Sequence, residues 1–208
     1  HSWYRRQRQM CIRDREIGFP VIVKAAAGGG GRGMRIVREA SELRGAIESA
    51  SSEALAAFGS GAVYVEKFLE KARHVEVQCL GDSHGNAIHL FDRDCSSQRR
   101  HQKLIEEAPA PAVDPVKRLE TAEAAARLLR EAEYCGAATV EFLMDANGDY
   151  SMLEVNTRVQ VEHCVTEMVT GIDIVQASIR VAAGEPLGID QSEVKLNGHS
   201  IECRINAE

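Results

Sequence analysis

Glu141, Glu154, Asn156, Arg158, Gln160 and Glu162 all fall within one stretch, Val140 to Glu167, VEFLMDANGDYSMLEVNTRVQVEHCVTE. Two acids and an amide on neighbouring strands form a set of hard oxygen ligands. Such a set suits Mg²⁺ or Mn²⁺, which bind through a few carboxylates and complete their shell with phosphate oxygens and water. The competing reading has one glutamate facing solvent and the other paired with a lysine or arginine, and for the two glutamates alone the readings weigh evenly. The residues downstream tip the balance. Arg158, Gln160 and Glu162 alternate at period two, so an extended segment aims all three the same way. An anion-binding arginine, a hydrogen-bonding amide and a general base then converge on one place, beside His163.

The elements that position these groups are two alternating runs, Val140–Met144 and Tyr150–Asn156, joined at Asn147-Gly148. An Asn-Gly pair between alternating apolar runs signals a hairpin, and each glutamate is flanked by apolar neighbours on both sides.

Upstream, Phe19–Ala25 reads as a short buried strand that runs into Gly28-Gly29-Gly30-Gly31-Arg32-Gly33 and returns as Met34–Val37. Glycines let successive backbone N–H groups approach an anion, and Lys24 and Arg32 favour phosphate over a plain flexible turn. It is not a Walker A loop, because neither Gly-Lys-Ser/Thr nor a helix follows. Ser41 is placed to cap a helix running to about Phe58, with Leu43, Ala46, Ile47, Ala50 and Ala54 on one side. Further strands are expected over Ala62–Leu69, which contains the polar pair Glu66-Lys67, and over Arg73–Leu80 and Ala87–Arg93. Gln98–Glu107 reads as one polar strand walling a cleft, with a solvated edge strand as the alternative; Ala108-Pro109-Ala110-Pro111 closes it.

Asp114-Pro115 caps a helix whose core positions are Leu119, Ala122, Ala126 and Leu129. After the hairpin come one helix carrying Val165, Met168 and Val169, broken at Gly171, and another carrying Val175, Ile179 and Ala182. A last strand spans His199–Glu208, and a chain ending inside a strand reads as a fragment. Strands and helices mixed with several hairpins predict an α+β fold.

The 208 residues can bury a sizeable core, and 44% hydrophobic with 27% charged residues is globular composition. A formal charge of −6 argues against nucleic acid as a partner, and no apolar run reaches the length of a membrane span. Cys11, Cys79, Cys95, Cys135, Cys164 and Cys203 lie far apart without a C-x-x-C pair, which points to a reduced, cytoplasmic-type interior. Residues 1–15, HSWYRRQRQMCIRDR, are rich in arginine and lack a periodic apolar face. They are set apart as a non-native or artefactual segment.

In order along the chain, Lys24, GGGGRGM, VEKFLE, RHVEVQ, RDCSSQRRHQK, EEAPAP, VEFL, LEVNTRVQVEH, VTEM and ECRINAE closely resemble the ATP-grasp core of biotin carboxylase, from about Ile17 to Glu208. That is the ATP-dependent part of acyl-CoA carboxylases and pyruvate carboxylase. The resemblance implies an ATP-grasp fold truncated at both ends, with a small lid over residues 16–68 and a larger antiparallel-sheet subdomain over 69–208. Other ATP-grasp ligases, such as carbamoyl phosphate synthetase, share the Glu/Glu/Asn set but do not need RRHQK, NTRVQVEH and ECRINAE together. A nucleotide-binding module without turnover is the remaining alternative.

The resemblance also assigns roles. Gly30 and Gly31 close on the ATP phosphates, and Lys24 touches α/β-phosphate oxygens. Glu66, Lys67 and Leu69 hold adenine, while His74, Gln98 and His101 line the nucleotide cleft. Glu141, Glu154 and Asn156 carry two Mg²⁺ or Mn²⁺ ions. Bicarbonate sits on Lys103, Arg158, Gln160 and the Val161 backbone. Glu162 takes its proton, and Arg204 stabilises the biotin enolate. The implied partners are a biotin carboxyl carrier protein, a carboxyltransferase and, in the full-length parent, a second copy, in the cytoplasm or mitochondrial matrix.

Three features depart from the family pattern. Its N-terminal domain and C-terminal part are absent. The metal-ligand glutamates are one residue further apart than usual, an excess expected in the Asn147-Gly148 turn. Cys164 follows Val161-Glu162-His163 where a proline is usual. Proline is tolerated in the first turn of a helix, so Cys164→Pro in the intact enzyme should alter turnover only modestly. A steady-state assay showing a hundredfold change would contradict this.

Overall fold

The computed structural model describes residues 17–27, 33–100 and 102–205. Contacts divide the described residues into two units, one up to residue 70 with residues 100 and 102, the other 71–99 with 103–205.

The first unit is a three-stranded antiparallel sheet, in the order β2 (Arg35–Val37), β1 (Val21–Ala25), β3 (Val63–Lys67), backed by helix α1 (Leu43–Phe58). Val21, Val23 and Val37 meet Leu43, Ile47 and Ala50 in its core. The helical stripe therefore lies where its periodicity placed it. The cap does not: the N-cap is Glu42, without a side-chain cap bond, and the Ser41 hydroxyl donates to Glu39 instead. At the other end Gly59 takes the left-handed conformation, φ 72°, that closes a helix. Gly33, φ 70°, leads into β2, and a Cβ there would lie 3.0 Å from that of Ala25.

The second unit is built on a six-stranded sheet in the order β8 (Tyr150–Asn156), β7 (Gly136–Met144), β4 (Arg73–Gly81), β5 (Ala87–Arg99), β6 (Gln102–Ala108), β9 (Ser200–Cys203). Strand alternation gives this sheet two unlike faces. On one, Val77, Cys79, Val140 and Phe142 pack against Ala122, Ala125 and Leu129 of helix α2 (Pro115–Glu131). Each large side chain so covered contributes about 1.5–3 kcal/mol. On the other face, Leu80, Ile88, Leu90 and Ala137 form an apolar end that packs with Ile174 of helix α4 (Ile174–Ala182). Toward the opposite end the same face turns polar, with Glu76, Gln78, Arg93, Thr139 and Glu141 all buried. Helix α3 (His163–Thr170) contributes Thr166 to this region.

Several helix faces differ from expectation. Asp114 does cap α2, accepting from Val116 N and Lys117 N, but Leu119 is 47% exposed because the cluster under α2 begins at Ala122. In α3, Val165 and Val169 are buried while Met168 is exposed. In α4 the inner stripe is Ile174, Ala177 and Val181, not Val175, Ile179 and Ala182. Both stripes are apolar at helical spacing, so periodicity had no basis for choosing between them. The expected strand over residues 98–107 is two strands, since β5 runs to Arg99 and the chain turns at Arg100, φ 53°, before β6.

The β7–β8 hairpin turns where Asn147-Gly148 predicts, with Asp145 accepting from the backbone N–H of Asn147 and Asp149. From the turn inward the register pairs Met144 with Tyr150, Leu143 with Ser151 and Phe142 with Met152. Continued unchanged, it would set Glu141 opposite Leu153 and turn Glu154 to the other face. A register shift there leaves Leu153 without a partner, so Glu141 stands opposite Glu154 and Thr139 opposite Asn156. That register shift is a β-bulge beside the two acids. Deleting Leu153 should therefore keep the acids opposed and preserve Mn²⁺ binding by calorimetry, whereas deleting Asn147 should break the Asp145 turn and weaken it. The reverse ranking would show that the bulge lies elsewhere.

Candidate active site

The polar end of the sheet is organised by Arg93, whose side chain is fully buried. A guanidinium has five N–H donors, and five acceptors surround this one. Nε donates to Glu76 Oε1 at 2.7 Å, and Nη1 to Gln78 Oε1 at 2.8 Å and Thr166 Oγ1 at 2.9 Å. Nη2 donates to Thr139 Oγ1 at 3.2 Å and Gln160 Oε1 at 3.4 Å. Burial works against its charge, but the surrounding anionic groups, Glu76 foremost, together outweigh it and hold its pKa above the ordinary arginine value.

Lys103 of β6 stands over this layer. Its ammonium donates to Glu76 Oε2 at 2.5 Å, Glu141 Oε1 at 2.9 Å and Glu162 Oε1 at 2.5 Å, so all three of its protons are engaged. Burial again opposes the charge, and the carboxylates raise the pKa regardless. Burial likewise disfavours ionised Glu76, yet Arg93, His74 and Lys103 hold its carboxyl well below the usual range. Glu162, 2% exposed at the N-cap of α3, is gripped from its second oxygen by Arg204 Nη2 at 2.8 Å. Arg204 in turn donates through Nε to Glu106 Oε1 at 2.6 Å. Glu162 is thus an acceptor held between two cations.

His74 presents Nε2 to Glu141 Oε2 at 3.1 Å and Glu76 Oε2 at 3.6 Å as a close charge contact without hydrogen-bond alignment. Burial pulls its pKa down, but the two carboxylates win and lift it to about 9. Gln98 Nε2 lies 3.1 Å from His74 Nδ1.

Asn156 Nδ2 donates to Glu141 Oε1 at 3.0 Å and Glu154 Oε1 at 3.3 Å, which brings the three oxygen-bearing groups together on one face. Arg158 Nη2 donates to Asn156 Oδ1 at 3.0 Å and is otherwise exposed, so of the alternating trio only Gln160 and Glu162 point inward. Gln160 Nε2 donates to Glu141 Oε1 at 3.0 Å, and Val161 is 60% exposed at the turn into α3. The donor chemistry fits a divalent ion: two carboxylates face one point, and half a turn of the Asn156 amide would add Oδ1 to them. His74, Glu76 and Glu141 form another close group, but Arg93 and Lys103 already engage both Glu76 oxygens.

In the first unit, Lys24 forms an ion pair with Glu66, and Lys67 Nζ donates to the carbonyls of Gly18 and Phe19 at 3.2 and 3.0 Å. Leu69 is half-buried just after β3. Gly30, Gly31 and His101 lie outside the described residues.

The family model of the carbamoyl-phosphate synthase L chain ATP-binding domain matches residues 6–190. The chain belongs to that family. The match takes in residues 6–15 of the segment set apart on composition. This ATP-binding domain is 58% identical over 194 residues to the biotin carboxylase of Pseudomonas aeruginosa, covering 93% of this chain and 43% of that protein. It is 52% identical over 204 residues to the mitochondrial methylcrotonoyl-CoA carboxylase subunit alpha of Mus musculus, covering 97% of this chain and 28% of that protein. The chain therefore spans less than half the length of these relatives. Among solved structures, it is similar to the biotin carboxylase of Campylobacter jejuni in a β-γ-ATP complex, at TM-score 0.89 and 56% identity over 92% of this chain and 43% of that one. It is also similar to the biotin carboxylase domain of Hydrogenobacter thermophilus 2-oxoglutarate carboxylase with MgADP and bicarbonate. There the TM-score is 0.92 and the identity 50%, over 95% of this chain and 44% of that one. The fold is the ATP-grasp fold of biotin carboxylases.

Reading the sequence missed Glu76, Arg93, Glu106 and Thr166 as parts of this site. Charged residues at alternate positions, Glu76 in RHVEVQ and Arg93 in RDCSSQ, were the available signal, since a charge on an otherwise apolar strand demands a partner. Removing Arg93 strands Glu76, Gln78 and Gln160 in a dry layer, so Arg93→Met should cost about 3–5 kcal/mol. Urea denaturation would measure it, and a loss below about 0.5 kcal/mol, the usual range of surface substitutions, would refute the keystone role.

Proposed function

We propose that this chain is the ATP-grasp portion of a biotin carboxylase, carboxylating carrier-bound biotin with bicarbonate and ATP within an acyl-CoA carboxylase. The observation that carries the proposal is Glu162, held between Lys103 and Arg204 on the same sheet face as the Glu141–Asn156–Glu154 cluster. An anionic nucleophile attacking a phosphate must be neutralised, aligned and deprotonated, and these side chains supply all three needs in one place.

In this reading Lys103, Arg158, Gln160 and the Val161 backbone N–H hold bicarbonate. To receive it, Lys103 exchanges one of its three carboxylate partners for a bicarbonate oxygen. Glu162 takes the bicarbonate proton, and the resulting oxyanion attacks the γ-phosphorus of ATP, expelling ADP and forming carboxyphosphate. Carboxyphosphate divides into CO₂ and phosphate, the phosphate takes the ureido N–H proton of biotin, and Arg204 faces the developing enolate oxygen. Divalent ions on Glu141, Glu154 and Asn156 would supply charge neutralisation of the phosphates. Lys24, Gly30, Gly31, Glu66, Lys67, Leu69, His74, Gln98 and His101 are assigned to the nucleotide.

The implied partners are a biotin carboxyl carrier protein or domain, a carboxyltransferase and a second copy of the parent. The cysteines suit a reducing compartment, either cytoplasm or mitochondrial matrix. Among the described residues no helix is long and apolar enough to cross a membrane.

The decisive assay is bicarbonate-dependent ATP hydrolysis by the full-length parent with and without free biotin. Biotin should stimulate it, and Glu162→Gln should reduce it by about 10²–10⁴-fold, the usual worth of a general base. An ATPase indifferent to biotin or to Glu162→Gln would overturn the reading. The 208 residues alone should bind MgATP with little or no turnover.

A further inference from the structure

On the sheet face opposite the polar layer, beside α2, lies a cavity of about 230 Å³ lined by Ala87, His89, Glu123, Ala126, Arg127, Arg130 and Gln191. His89 is 2% exposed, and neither ring nitrogen has a partner among the described residues. That is unusual, because buried polar groups are nearly always hydrogen-bonded and leaving one unpaired is costly. The ring is fixed rather than loose. It packs edge-on against Phe91 with centroids 5.0 Å apart, and the His89 backbone exchanges two hydrogen bonds with the Gln191 amide, at 2.8 and 3.0 Å.

Glu123, Arg127 and Arg130 succeed one another along one side of α2 at helical spacing, so their long side chains reach the same mouth. Arg130 spends one nitrogen on the Ala87 carbonyl at 3.1 Å, and no hydrogen bond engages its remaining donors or any of those on Arg127 among the described residues. Burial pushes the imidazole pKa down to about 4, so at neutral pH it offers one N–H and one lone pair. With Glu123 subtracted, the two arginines leave the mouth with one net positive charge.

We propose that this cavity is a second binding site, separate from the catalytic face, for a small oxyanion of the phosphate or carboxylate class. The oxyanion accepts from the His89 imidazole at the floor and from Arg127 and Arg130 at the mouth. The volume is that of several water molecules, enough for inorganic phosphate or a short carboxylate. Guanidinium groups suit both ligands, because their paired N–H donors match two oxygens of either. Nothing in the reaction derived above uses His89, Arg127 or Arg130.

The test is a titration of the ¹⁵N-labelled 208-residue chain with inorganic phosphate, and separately with acetate, at constant ionic strength. The readout is the ring nitrogens of His89 by long-range ¹H–¹⁵N correlation. Saturable shifts are expected with at least one of the two anions, and the anion that binds more tightly identifies the class. Arg127→Gln, an exposed position that leaves the core untouched, should weaken binding by about tenfold, the effect of losing one charge-assisted contact. Shifts that grow linearly without saturating, no shift with either anion, or equal affinity in Arg127→Gln would each overturn the proposal.

Discussion

A guanidinium sealed from water is the constraint from which the second unit's architecture follows. Arg93 lies in the middle of the sheet, and burying its charge unpaired would cost several kcal/mol. The fold answers with acceptors from β4, β7, α3 and the segment leading into α3. Each of those elements is thereby held in register with the others. Gln160 can present its amide to Glu141 only because its carbonyl oxygen is held by Arg93, and Glu76 can share Lys103 with Glu162 only because Arg93 holds its other oxygen.

Above that layer the charges alternate. Glu76 and Glu141 lie beneath Lys103, Glu162 is held by Lys103 and Arg204, and Arg204 is held by Glu106. Lys103 and Arg204 are each matched by more than one acid, an arrangement that holds both cations in place. It also leaves an ammonium that can exchange one partner for an incoming anion without being left bare. The cost of this polar layer is offset elsewhere on the sheet, by α2 on the reverse face and by α4 at the apolar end.

A one-residue shift has a large effect on the ligand cluster. Side chains alternate across a strand, so Glu154 would face away from Glu141 if the register set by the Asn147-Gly148 turn continued. The bulge at Leu153 reverses that, and it is why Glu141, Glu154 and Asn156 share a face. The sequence showed the two acids and the turn between them, but not the register shift that sets the acids opposite each other. Turn chemistry and strand pairing each tolerate it, and only packing of the whole hairpin against β4 decides.

The primary structure by itself determined the elements and the chemical inventory: the hairpins, the Asp114 cap, the Gly171 helix end, and the grouping of Glu141, Glu154, Asn156, Gln160 and Glu162. These rest on local physics, on side-chain periodicity, turn residues and backbone donors needing caps, and local physics is written in neighbouring residues. Tertiary structure alone decided which of two apolar stripes α4 buries, that Leu119 and Met168 stay outside, and that Arg158 turns to Asn156 rather than inward. It also decided that Glu76, Arg93, Glu106 and Thr166 complete the site. Those outcomes depend on residues tens of positions apart meeting across strands, and no short window of sequence contains both partners of such a contact.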